Sequence, residues 1–121
     1  MTPIDFTLLA KAGTAPRTYK AGEVIFNEGD PADNLYVIQE GAVDIRLGNR
    51  TLATLRKNDM FGEMALIDKA PRSATAVAVG DASVVPVSEK QFLFLVSHTP
   101  YFALNVMRVL ADRLRAMNRT L

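Results

Sequence analysis

The stretch AVDIRLGNRTLATL, residues 42–55, alternates apolar Val43, Ile45 and Leu47 with polar Asp44 and Arg46, then meets Gly48-Asn49. A period of two marks a strand with one buried and one solvated face, and a Gly-Asn pair sits where a tight hairpin turn belongs. The stretch therefore predicts a hairpin of Ala42–Leu47 with Thr51–Leu55. Upstream, Leu35-Tyr36-Val37-Ile38 is a continuous apolar run, which predicts a strand over Leu35–Gln39 covered on both faces. Further runs at Val24–Phe26, Ser73–Val79 and Ser83–Val87 are separated by Gly, Asn, Asp and Pro. That punctuation, at roughly 8 to 12 residue spacing, indicates a β sandwich or barrel.

Helical signals flank this region. Thr2-Pro3 is a cap and first-turn pair, and Gly13 stands where a short N-terminal helix would stop. Ser88 with Gln91 predicts a capping box opening a helix whose inner face carries Phe92, Leu95 and Val96. His98 falls at its end, where an imidazole meets free carbonyls, and it is assigned no ligand role. Thr99-Pro100 opens a last helix. There Ala103, Met107, Leu110, Leu114, Met117 and Leu121 trace a coiled-coil seam, with Phe102, Val106 and Val109 as a second apolar stripe. Both stripes could bury against the β core, or one could meet a second copy of the chain.

Composition narrows the chemistry. The chain has 121 residues and 13.2 kDa, 49% of them hydrophobic and 22% charged, which suits one soluble domain. It contains 0 Cys and 1 His, leaving thiolate zinc, iron–sulfur and histidine-rich metal sites without ligands. Its 14 Lys+Arg nearly balance 13 Asp+Glu, so overall charge gives no reason to expect nucleic acid. No apolar run reaches the ~18 residues of a membrane span. A cytoplasmic protein without membrane association is expected.

Residues 59–75, DMFGEMALIDKAPRSAT, carry the candidate chemistry. Gly62 permits a tight turn, and Glu63–Ile67 can form one helical turn whose first N–H groups cradle an anion. Pro71 ends that unit and leads to Arg72, a permanent cation with a planar fork of donors, and to the Ser73 hydroxyl. Glu63 would repel a phosphate unless it accepted hydrogen bonds from sugar hydroxyls nearby, which would specify a ribonucleotide. Taken as a lone pair, Glu63 and Arg72 could equally form a surface salt bridge worth ~0 to 1 kcal/mol.

FGEMALIDKAPRSATA closely resembles the phosphate-binding cassette of cyclic-nucleotide-binding domains, as in catabolite activator proteins, protein kinase A regulatory subunits and cyclic-nucleotide-gated channels. YKAGEVIFNEGDPADNLYVIQEGAVDI is similar to the same family's glycine-spaced signature, with Gly22, Gly29 and Gly41 at turns. The resemblance covers about residues 15–121. It implies a mainly β fold, a jelly-roll-like β-roll of about eight strands with a short N-terminal helix and two C-terminal helices. One domain over 1–121 would then divide into a helical segment 1–16, the roll 17–87 with its cassette 61–75, and helices 88–121. Carried over residue by residue, it puts Glu63 on the ribose 2′-hydroxyl and Arg72 on the cyclic phosphate. Ser73 and the backbone N–H groups of Gly62, Met64, Ala65 and Ala74 would take the remaining oxygens, and Phe61 belongs to the same ligand-binding set. In the family, Thr directly after the Arg favours cGMP, so Ser73 points to cAMP, with cGMP as the alternative.

The family's final helix closes over the base as a lid. Arg113, Arg115 and Asn118 are the polar candidates for contact, though a solvated helix face accounts for them equally. The expected function is sensing of a cyclic mononucleotide, regulatory and non-catalytic, with no cofactor, a homodimer through the last helix as a partner option, and no direct DNA binding. Rival readings are a cupin-like enzyme, poorly served by the lone His98, a sensor of another small molecule, and a dimerisation unit with a vestigial pocket.

Overall fold

The computed structural model describes residues 7–119, with the side chains of Leu114 and of residues 116–119 outside the description. The Thr2-Pro3 cap therefore falls outside it, as does Leu121 of the seam. Helix α1 (Thr7–Ala12) ends where Gly13 donates to the Leu9 carbonyl at 3.0 Å. Strands β1 (Arg17–Tyr19), β2 (Val24–Phe26), β3 (Asn34–Leu47), β4 (Arg50–Arg56) and β5 (Met60–Phe61) follow. Then come α2 (Met64–Ile67), β6 (Thr75–Ser88), α3 (Glu89–His98) and α4 (Pro100–Arg119).

All pairing is antiparallel, and β3 lies against β6 along its whole length. Their ladder slips around Glu40, between Ile38 and Ala42 on β3, and bulges of this kind bend a ribbon. One arm then carries β1 on β6 and β5 on β3, while the other carries β2 on β6 and β4 on β3. Each arm is four strands wide, so six continuous strands supply the eight segments expected. The run predicted as two strands over 35–47 is one bent strand, and so is that over 73–87. β1 and β5, only three and two residues long, carry no readable alternation and were not anticipated as strands.

The bend depends on Gly41. Its φ is +84°, and a Cβ there would stand 2.4 Å from the Asp81 carbonyl oxygen. Gly22 and Gly29 also take positive φ, as expected of turns. The hairpin at Gly48-Asn49 forms as predicted, but its alternation fades toward the tip, where Leu47 is 45% exposed.

The four-residue run on β3 is buried throughout because its two faces serve two cores. Leu35 and Val37 join Leu9, Met60, Val87, Leu95, Phe102 and Val106 beneath the helices. Tyr36 and Ile38 join Val43, Phe61, Ala76 and Val84 inside the roll. Ser88 and Gln91 form the predicted capping box on α3. Phe92 and Val96 pack beside Leu95, so the predicted inner face holds. His98 Nδ1 lies 2.8 Å from the Phe94 carbonyl and its ring stacks on Phe94, which is the terminal role anticipated. On α4 Phe102 and Val106 of the second stripe are buried in the core, and Leu110 of the seam packs against it too, whereas Met107 of the seam is 58% exposed.

Gly41→Ala and Gly48→Ala both force alanine into left-handed backbone, at ~1 to 2 kcal/mol each. Only Gly41 is crowded, since nothing lies within 4 Å of the Cβ position at Gly48. Urea denaturation should show the larger loss for Gly41→Ala; equal losses would remove the crowding at the bend as a determinant of stability.

Candidate functional site

Between β5 and β6 the chain builds a compact bracket. Pairing of Tyr36 with Phe61 sends the Phe61 ring into the roll. Gly62, at φ +75°, turns the backbone into α2. Asp68 ends that helix through a bond from its N–H to the Met64 carbonyl, and its Oδ1 accepts from the Ala70 N–H at 3.0 Å. The return limb is fastened to the loop after β2. Arg72 N–H donates to the Asp30 carbonyl at 2.9 Å and the Arg72 carbonyl accepts from Gly29 at 2.8 Å.

This bracket turns the Arg72 side chain inward, leaving the residue 6% exposed. Nη1 donates to the Gly62 carbonyl at 3.1 Å and Nη2 to the Asn34 carbonyl at 2.7 Å. Nε is buried with no partner. No carboxylate forms an ion pair with Arg72 among the described residues. Its Cζ lies 4.1 Å from the centroid of the Phe26 ring and 5.6 Å from that of Tyr36. Burial pulls its pKa down, opposed by the Tyr36 hydroxyl and by the charges of Asp33 and Asp30. An arginine stays protonated under such conditions, so the site holds a desolvated cation with an unsatisfied donor. Such a group is costly until an anion completes it.

Gly62 makes this placement possible. A Cβ at that position would stand 2.6 Å from Arg72 Nη1. Glycine is required both by the backbone angle and by the guanidinium beside it.

Glu63 does not pair with Arg72, so the surface salt bridge between them is not formed. Its Oε1 accepts from Arg113 Nη1 on α4, and Arg113 Nη2 donates to the Met60 carbonyl at 2.6 Å. The Glu63 side chain is 13% exposed and that of Arg113 32%. Arg113 thus ties the last helix to the bracket, whereas sequence reasoning had offered it only as a lid contact. Arg115 stays on the helix surface, paired with Asp112 at 3.3 Å, and the Asn118 side chain lies outside the described residues.

The other expected site residues are gathered in the same bracket. Phe61, Ala65 and Ala74 are buried, and the Met64 side chain is 48% exposed. Ser73 is exposed. The Ala65 N–H already reaches the Gly62 carbonyl at 3.3 Å, so it is not among the free donors here. Phe26, Asn34 and Tyr36 were not singled out beforehand. The one available signal was the aromatic at the end of a strand just ahead of the Gly29 turn. An apolar cavity of about 330 Å³ between α2, α3 and α4 touches this site at Glu63 and is not lined by Arg72. Among the described residues no cluster of three or more His, Cys, Asp or Glu is placed to hold a metal, and no helix is long and apolar enough to cross a membrane.

A glycine-turned bracket around a buried arginine, set in a bent antiparallel roll, invites comparison with known proteins. Residues 16–99 match the family described as the cyclic nucleotide-binding domain. This chain belongs to that family. It is 40% identical over 104 residues to the cyclic AMP receptor protein of Thermus thermophilus, covering 82% of this chain and 48% of that one. The chain therefore spans about half the length of that relative. The crystal structure of the Thermus thermophilus catabolite activator protein superposes with a TM-score of 0.82 at 37% identity, covering 93% of this chain and 55% of the other. The EAL enzyme Bd1971 in its cAMP-bound form gives 0.66 at 37% identity, over 86% of this chain and 29% of that one. Its cGMP-bound form gives 0.63 at 37% identity, over 84% and 28%.

Gly62→Ala should move Arg72 off the Gly62 carbonyl and lower stability by about 1 to 2 kcal/mol through the left-handed backbone alone. Thermal denaturation checks the second effect, and a crystal structure of the variant checks the first. An unmoved guanidinium would show that the missing Cβ is not what admits it.

Proposed function

We propose that this chain is a non-catalytic receptor module for a cyclic mononucleotide, cAMP in preference to cGMP, with α4 reporting occupancy. The reading rests on one observation, the desolvated Arg72 cation whose Nε lacks a partner and which no described carboxylate neutralises. A cyclic phosphate diester carries one negative charge and would neutralise that cation; a 5′-monophosphate is largely dianionic and would leave excess charge in a dry site. Glu63 presents its second carboxylate oxygen to the ribose 2′-hydroxyl while Arg113 holds the first. Ser73, in place of threonine, carries the preference for adenine. The cAMP-named Thermus relative and the cAMP-bound structural neighbour support the ligand class, and the cGMP-bound neighbour keeps guanine as the alternative base.

In this reading a nucleotide seated on Arg72 and Glu63 also alters what Arg113 is bonded to, and so shifts α4. The exposed Met107 face of α4 is the surface offered to a second copy. An intracellular messenger as ligand places the module in the cytoplasm. DNA contact, catalysis and cofactor use form no part of the proposal for this stretch.

Calorimetric titration with cAMP, cGMP, 2′-deoxy-cAMP and 5′-AMP tests it. Wild type should bind cAMP most tightly, and Arg72→Ala should lose ~2 to 4 kcal/mol, tens to a thousandfold. Unchanged affinity in Arg72→Ala would overturn the reading. Glu63→Gln should weaken cAMP less and narrow its gap to the 2′-deoxy analogue; full retention of that gap removes Glu63 from the ribose.

A further inference from the structure

We infer that Phe26 is a positioning residue for anion binding: its ring face serves the buried Arg72 guanidinium in place of a carboxylate, leaving Nε–H and the second hydrogen on each Nη for the ligand. The inference rests on the proposed nucleotide site and adds a residue that neither the cassette motif nor the expected ligand set contains.

A guanidinium taken out of water ordinarily recruits an acid, because its charge and its five donors both need satisfying. At Arg72 the Nη donors go to backbone carbonyls, which are neutral. Asp33 and Asp30 act on this charge without forming an ion pair with it, and the ring in contact with the guanidinium is Phe26, 4.1 Å from Cζ, with Tyr36 behind at 5.6 Å. An aromatic face attracts a cation through its quadrupole, worth about 0.5 to 2 kcal/mol as water is excluded. Arg72 Cζ lies over the Phe26 ring, whereas a carboxylate binds a guanidinium along its N–H edge. A carboxylate would compete with an incoming phosphate for the same hydrogens. The ring stabilises the cation and competes for none of them.

The scaffold fixes the ring. Phe26 belongs to a triad with Tyr36 and Phe61, at centroid separations of 6.0 Å to Tyr36 and 5.9 Å to Phe61, and those two stack at 5.3 Å. β2 is irregular just before it. Val24 pairs with Val77 and Phe26 with Ala76, so the strand has an extra residue between them. Such a bulge re-aims the side chain that follows. Phe26 from β2 and Tyr36 from β3 thereby come to one guanidinium, with Phe61 of β5 packed against both rings, and the segment of Arg72 is itself bonded to the loop leaving β2.

A double-mutant cycle tests this, using Phe26→Leu, which keeps an apolar side chain but no π face, Phe26→Tyr, which keeps the face, and Arg72→Gln. Titration with cAMP should show Phe26→Leu weakened roughly 3- to 30-fold. The same factor should apply to cGMP and 2′-deoxy-cAMP, which share the phosphate, and Phe26→Tyr should return to within about threefold of wild type. In the Arg72→Gln background the Phe26→Leu effect should vanish, because the cation it served is gone. Urea denaturation of the same four proteins without nucleotide reads the pair directly, and the two substitutions should again be non-additive. A Leu loss that persists with Arg72→Gln, or a Tyr variant as weak as Leu, assigns Phe26 to packing and overturns the inference. Additivity in the ligand-free cycle overturns it whether or not a nucleotide binds. Should Arg72→Gln bind cAMP as tightly as wild type, the proposed function fails instead, and the denaturation cycle still decides the role of Phe26.

Discussion

A guanidinium held almost out of water without an acid beside it is the constraint around which this fold is arranged. Arg72 sits where β2, β3 and the bracket before β6 converge, and each contributes something an unpaired cation needs. Gly62 omits the Cβ that would collide with it, Asn34 and Gly62 turn carbonyls toward it, and Gly29 and Asp30 bond its backbone in place. None of these contacts cancels the charge. Burying a charge without cancelling it opposes folding, so the surrounding roll must hold the arrangement by packing of Tyr36, Ile38, Val43, Phe61, Ala76 and Val84.

The helices are joined to this site by a short physical path. Met60 and Phe61 are adjacent on β5 and point to opposite sides. Met60 packs with Phe102 and Val106 of α4, and Phe61 packs inside the roll with Tyr36. The Met60 carbonyl accepts from Arg113, and the Gly62 carbonyl two residues on accepts from Arg72. One short stretch of backbone is thus gripped by an arginine on either side, one from the last helix and one from the bracket. The two guanidinium groups are fastened to carbonyls two residues apart on that one segment, Met60 and Gly62.

Much of the architecture was legible because it rests on local signals. The alternation of Val43 and Ile45, the Gly48-Asn49 turn, the Ser88 capping box and the continuous Leu35–Ile38 run each state a physical requirement within a few residues. What escaped was short or distant. β1 and β5 owe their existence to pairing with longer strands and carry no period of their own. The eight segments implied by the resemblance are present while the boundaries between them are not, because the gaps at 40–41 and 80–82 read as breaks between strands when β3 and β6 run through them. In the site, Arg72 and Glu63 stood out by type and spacing. Arg113, fifty positions from Glu63, is one of three polar candidates on the last helix, and nothing local ties it to that carboxylate until the fold brings α4 to the bracket. Phe26 read as one more strand residue, since an aromatic's use as a counter-charge depends on what is stacked over it.

The presence of Glu63 a few residues from an anion site is the point at which these observations meet. Alone, its carboxylate would reduce the positive potential that Arg72 offers, and the low dielectric of a closed bracket would enlarge the effect. Paired with Arg113, it is neutral as a unit, and the net charge presented by the three groups is that of Arg72. The carboxylate can then serve as a hydrogen-bond acceptor without repelling a phosphate. This division of labour also explains why α4 belongs to the site at all. Withdrawing Arg113 would restore the bare negative charge of Glu63 beside the place where a phosphate is proposed to sit, so in the proposed reading the last helix contributes to the charge of the site through a single ion pair.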